Sequence, residues 1–111
     1  MFKYRATYVR NYDGDTITFT IDLGFNIKYE TNIRLKGIDT HELGEKDKDK
    51  KILAYKAKEH VFEKLTDAKE IVIETEKDRT GKYGRYIATV YYDGIDIGQE
   101  LLELGLAEAY K

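Results

Sequence analysis

The hydrophobic pattern of this chain changes period several times, and those changes limit the folds it can adopt. Thr16-Ile17-Thr18-Phe19-Thr20-Ile21 alternates strictly, so Ile17, Phe19 and Ile21 should share one face of a strand. Ile27, Tyr29, Thr31 and Ile33 continue the alternation. Asp13-Gly14 and Leu23-Gly24 carry turn signals that divide residues 3–36 into three strands. Over residues 51–66 the period changes: Ala54, Ala57, Val61 and Leu65 recur at spacings of three and four. That is one helical stripe, and Phe62 should broaden it. Strand character returns over 70–74 and 84–92, the latter rich in aromatic and β-branched residues. Arg79-Thr80-Gly81 should turn between them.

A second helix is predicted from Asp96, which can accept from first-turn amides with Gln99 as its capping-box partner. Ile97, Leu101 and Leu104 should form its buried face, and Gly105 suits its stop. Three strands, a helix, two strands and a helix give a β-rich α+β chain. This is the order of an OB-type five-stranded β-barrel with a helix between strands three and four and a C-terminal helix. Such barrels commonly bind oligonucleotides. No linker, repeat or boundary interrupts residues 1–111, so one domain is expected. The alternating charges of Gly44-Glu45-Lys46-Asp47-Lys48-Asp49-Lys50-Lys51 read as a mobile loop.

Composition excludes some chemistry. With 111 residues and no cysteine, the chain is long enough for a real core, and neither a disulfide framework nor a thiolate zinc site is open to it. No apolar run is long enough to span a membrane. The N-terminus lacks the apolar stretch of a signal peptide, so a cytoplasmic location is the default, with secretion of a trimmed form left open. The formal net charge is −2, whereas polyanion binders tend to be basic. The cations are local, however: Lys77, Arg79, Lys82 and Arg85 fall in nine residues, and Lys46, Lys48, Lys50 and Lys51 follow a distinctive acidic segment.

That segment is one of three that carry chemistry. Asp13-Gly14-Asp15-Thr16, Arg34-Leu35-Lys36-Gly37-Ile38-Asp39-Thr40-His41-Glu42 and Lys82-Tyr83-Gly84-Arg85 lie beside turn glycines or strand ends. Hard cations need oxygen ligands, and a phosphoryl group in transit needs planar cationic donors. A fold that joins these segments has both. Each residue also has a plainer reading. Asp13 and Asp15 can close a turn, Asp39 can cap a strand end, and Arg34 and Arg85 can be surface residues.

Taken in this order, with Asp93-Gly94, Glu100-Leu101 and Gly105-Leu106-Ala107 after them, the segments resemble the staphylococcal nuclease (thermonuclease) family over roughly residues 5–110. The resemblance implies calcium-dependent hydrolysis of DNA and RNA with little sequence preference, leaving 3′-phosphate ends. It implies Asp15, Asp39 and the Thr40 carbonyl as Ca2+ ligands, with Asp13 behind them. Glu42 would activate or orient water, and Arg34 and Arg85 would clamp phosphate. Lys82, Tyr83 and Tyr110 would contact the substrate, a nucleic acid with single strands preferred. The family's proline before the glutamate is His41 here, which should loosen the loop that aims Glu42. The family's type member continues into a further helix, whose absence would leave surface exposed; a monomer is expected, with a dimer open. The rival reading is a non-catalytic OB module that binds nucleic acid or protein.

Overall fold

The computed structural model describes residues 2–80 and 86–110. Ten elements follow in order: β1 (Phe2–Asn11), β2 (Thr16–Asp22), β3 (Lys28–Leu35), β4 (Ile38–Asp39), α1 (Lys48–Asp67), β5 (Ile71–Thr80), β6 (Tyr86–Tyr92), β7 (Ile95–Asp96), α2 (Ile97–Glu103) and β8 (Glu108–Ala109). The sheet runs β3-β2-β1-β5-β6-β7, and a further β3–β6 pairing closes it. The closing pair is parallel, with Ile33 opposite Tyr86, Arg34 opposite Ile87 and Leu35 opposite Ala88. Five long strands therefore form a closed OB-type barrel, as the order of elements predicts.

β1 serves two neighbours, pairing with β5 over Phe2 to Ala6 and with β2 over Ala6 to Asn11. A register shift between Tyr8 and Arg10 accommodates this bend. Ile17, Phe19, Ile33, Ile73 and Val90 are fully buried inside the barrel. Each such side chain contributes roughly 1.5–3 kcal/mol of burial free energy. Helix α1 adds Ala57, Val61 and Leu65 to that core, and Ala54 is also buried, so the predicted stripe is the buried stripe.

Five details differ from the sequence reading. Asp47 caps α1 by accepting from the Asp49 and Lys50 amides, so half of the expected charged loop is helix. Phe62 is 51% exposed and packs edge-on against Tyr8 instead of widening the core. Ile27 lies in the β2–β3 turn, half exposed, because β3 starts one residue later. At α2, Asp96 accepts from the Gln99 amide as expected, but the Gln99 side chain reaches Glu103 instead of returning to Asp96. Leu104 is 55% exposed because the helix ends there. Gly105, at φ +73°, lets its amide reach the Leu102 carbonyl and the Leu106 amide reach that of Leu101. This is a Schellman stop, and it sends the chain back towards β4, where Ile38 pairs with Ala109 and Asp39 with Glu108.

A polar cluster ties the two helices to the barrel. Glu100 on α2 accepts from the Tyr92 hydroxyl at 2.7 and 2.8 Å and lies 2.6 Å from His60 Nε2 on α1. No helix among the described residues is long and apolar enough to cross a membrane.

Candidate active site

The site forms where the β1–β2 loop meets the end of β3. The loop is held by its own polar groups. The Asp13 carboxylate accepts from the Asp15 and Thr16 amides at 3.0 and 2.8 Å, and the Tyr12 amide donates to the Thr16 carbonyl. Asn11 Nδ2 donates to the carbonyls of Asp13 and Lys58, both at 3.0 Å, which fixes the loop to α1. Gly14 is required by crowding. A Cβ there would sit 2.7 Å from the Ala57 Cβ and 2.8 Å from the Thr40 Cγ2.

The Leu35 amide donates to the Asp15 carbonyl at 2.9 Å and locks the loop to β3. Asp15, 6% exposed, then turns its carboxylate onto two donors. These are the Thr40 amide at 3.1 Å and Arg34 Nη1 at 2.8 Å. The other Arg34 nitrogen, Nη2, reaches Asp39 Oδ1 at 3.2 Å and the Ile38 carbonyl at 3.3 Å. Gly37, at φ +77°, allows the turn between β3 and β4 that brings Asp39 back beside Arg34. The Tyr110 amide donates to the Gly37 carbonyl at 2.9 Å, and its ring lies 5.3 Å from the Arg34 guanidinium carbon.

Two carboxylates, Asp15 and Asp39, thus share one guanidinium, with Asp13 behind Asp15, and the acidities of the three show the imbalance. Burial, then the hydrogen bond and charge of Asp15, push Asp13 up to about 6 despite its two amide donors. Burial would raise Asp15 too, but hydrogen bonds from Asp13 and Thr40 and the Arg34 charge outweigh it and hold Asp15 below the usual range. Asp39 is raised, by burial and then by the Asp15 charge, which Arg34 only partly offsets. As pH falls through about 6, Asp13 takes up a proton while its neighbour Asp15 stays ionised.

The residues singled out in the sequence divide into three groups. Asp13, Asp15, Arg34, Asp39, Thr40 and Tyr110 come together. Glu42 is exposed, and its side chain makes no hydrogen bond to another described residue. Lys82, Tyr83 and Arg85 lie outside the described residues. Two contributors escaped the sequence reading. Asn11 stands just before a turn and was legible only as a polar strand end. Ala57 looked like core alone, because its neighbour Gly14 is distant in sequence.

The staphylococcal nuclease homologue family model matches residues 32–111. The chain belongs to the staphylococcal nuclease family. A relative, described as an uncharacterized protein of Methanocaldococcus jannaschii, is 30% identical over 129 aligned positions. The match covers 96% of this chain and 59% of the relative, so the chain spans about three-fifths of that protein's length. Arg34, Asp39, Thr40 and Glu42 lie within the family match. Asp13 and Asp15 precede it and are joined to it by the contacts described above. Family membership suggests a nuclease-like or nucleic-acid-binding role.

The donor set fits a hard cation. Asp15 and Asp39 are adjacent carboxylates whose combined charge exceeds what Arg34 neutralises, and the donors are all oxygen, as calcium or magnesium requires. Thr40 Oγ1 is buried with no hydrogen-bond partner, another oxygen at this point of the structure. No group of three or more His, Cys, Asp or Glu side chains among the described residues is arranged to hold a metal. A cation here would rest on two carboxylates, with carbonyl oxygen, water or substrate completing its shell.

Proposed function

We propose that this chain is a calcium-dependent nuclease that hydrolyses phosphodiester bonds of DNA and RNA with little sequence preference, leaving 3′-phosphate ends. The observation that carries the reading is the position of Arg34. Its planar fork is held between Asp15 and Asp39, so a carboxylate pair of the kind a hard cation needs and a guanidinium of the kind a phosphate needs stand side by side. Asp15, Asp39 and the Thr40 carbonyl would hold the ion, and Asp13 keeps the loop in shape. Calcium, when bound, supplies positive charge against the phosphate oxygens.

The chain's own groups do the rest. Arg34, with Arg85, donates in a planar, bidentate manner to phosphate oxygens, a geometry lysine cannot reproduce. Those donors act most strongly as charge redistributes in the transition state. Glu42 accepts a proton from the attacking water or orients it. As the water oxygen bonds to phosphorus, the bond to the 5′ oxygen breaks; that oxygen leaves taking a proton from solvent, and Glu42 returns its proton to solvent. Lys82, Tyr83 and Tyr110 contact the flanking nucleotide. Recognition through phosphate and sugar carries little sequence information, and an OB face favours single strands.

One observation favours a second reading, a non-catalytic nucleic-acid-binding module: Arg34 is already engaged by two carboxylates. The experiment separates them. Labelled single-stranded DNA is incubated with the chain in calcium or in chelator, beside Arg34→Ala and Glu42→Gln. Calcium-dependent cleavage to 3′-phosphate ends, reduced about 100-fold or more in each variant, is expected. Calcium-raised melting with no cleavage would favour the binding module.

A further inference from the structure

We infer that the mouth of the barrel at the β2–β3 hairpin end is a docking site for unpaired nucleobases. The inference rests on the nucleic-acid reading above and adds a second site to it. Thr16 pairs with Arg34 at one end of the β2–β3 ladder, and Asp22 pairs with Lys28 at the other. Six residues separate the ends, about 20 Å at strand rise.

A cavity of about 470 Å3 runs from that hairpin end, where Leu23 and Tyr29 line it, past Tyr4, Thr31 and Thr75 inward to Ile33 and Tyr86, the pair next to Arg34. That is within the size range of small-ligand sites. Tyr29 and Tyr86 meet edge to face, with ring centroids 6.4 Å apart. Thr75 is only 7% exposed, and its hydroxyl is buried with no hydrogen-bond partner among the described residues. A buried polar group left unpaired is costly, and in a cup lined mainly by aromatic and aliphatic side chains it marks where a ligand's polar edge belongs.

The rim carries an independent sign. Phe25 at the tip of the β2–β3 hairpin is 96% exposed with φ +54°, followed by Asn26 at φ +63°. The Ile27 amide donates to the Gly24 carbonyl at 2.9 Å across them. Both central residues are thus left-handed, as in a type I′ turn, where Asn or Gly is favoured and a bulky aromatic is strained. Strain that persists at an exposed aromatic points to function. Here it holds a flat apolar face in solvent on the hairpin whose Leu23 and Tyr29 line the cup.

A nucleobase matches both features. Its faces stack on aromatic rings, and its edge carries the donors and acceptors that Thr75 lacks. The apolar rim is one turn, bracketed by the charged residues Asp22, Lys28 and Glu30, which suits a base better than a broad protein contact.

Fluorescence anisotropy with a short labelled oligothymidylate, in chelator to prevent cleavage, tests this against an abasic strand of the same length. Two variants probe the site. Phe25→Asn suits the left-handed turn, and Thr75→Leu fills the cup; both should melt no lower than wild type. Each is expected to weaken oligothymidylate binding about five- to 150-fold, the range for one stacked base, while leaving abasic binding unchanged. Equal binding of both strands, or affinities unchanged in the variants, overturns the site but leaves the nucleic-acid reading intact. Binding of neither strand by the wild type removes that reading and this site together. Loss of self-association in Phe25→Asn with unchanged oligonucleotide binding overturns the site in favour of a protein contact.

Discussion

The ring of Tyr110 lies over the Arg34 guanidinium, 5.3 Å from its central carbon. This residue comes from the last turn of chain, brought there by the pairing of β8 with β4. A cation over an aromatic face is worth about 0.5–2 kcal/mol, depending on desolvation. Tyr110→Phe should therefore keep both Arg34 and activity near wild type. Tyr110→Ala should lower nuclease activity several-fold and weaken phosphate binding, as measured with a nonhydrolysable nucleotide. Equal losses in Phe and Ala would show that the hydroxyl, not the ring, matters.

Asp13 makes the apo protein sensitive to pH. Its folded pKa is raised from 3.8 to about 6, so its stabilising contribution is complete below the unfolded value and is lost as pH rises through about 6. Asp15, held low, works in the opposite sense and weakens the fold only at more acid pH. The urea midpoint of the calcium-free protein should fall between about pH 4 and pH 6. Asp13→Asn keeps an acceptor for the Asp15 and Thr16 amides and should flatten that decline. A wild-type midpoint that does not change across this range would contradict the assignment of the proton to Asp13.

The second polar cluster predicts an acid limit. Burial would raise Glu100, but its hydrogen bonds from Tyr92 and His60 outweigh this and hold it below the ordinary value of 4.5. A depressed carboxylate stabilises the fold above its unfolded pKa, and that help disappears as pH falls through the folded one. Glu100→Gln should therefore cost stability at neutral pH and cost little in strong acid. Tyr92→Phe should cost about 1.5 kcal/mol at neutral pH, the low end for a hydrogen bond to a charged group. Denaturant titrations at both pH values check each statement.

Gly14 joins the candidate site to α1 by contact alone. Gly14→Ala must displace Ala57 or Thr40, since its Cβ would lie within 2.8 Å of both. Overpacking of this kind costs about 1–3 kcal/mol. The displaced loop carries Asp15, so calcium affinity should fall as well. Calorimetry of calcium binding beside a thermal melt measures both, and unchanged calcium affinity would show that the loop tolerates the shift.

Much of this molecule could be read without coordinates. Period-two and period-three-to-four patterns are local. They marked the inward faces of β2 and α1 correctly, because a side chain's face follows from its spacing along its own element. The motif glycines and carboxylates were legible for the same reason: turns and caps are short-range chemistry. Errors came at element ends and on the flank of a helix. Leu104 and Ile27 fit the apolar pattern, yet they are half exposed because they lie where an element stops, and Phe62, within α1, lies beside the buried stripe against Tyr8. The aim of Arg34 was not legible at all. Its partners Asp15 and Asp39 come from a loop and a short strand, and only barrel closure, the Gly37 turn and the return of the C-terminal strand place them around one guanidinium. Sequence alone determined the elements, the family resemblance and the residue types available for chemistry. Tertiary structure decided which carboxylate keeps its proton, what Arg34 and Tyr110 touch, and where the barrel remains open, because burial and long-range charge exist only once distant segments meet.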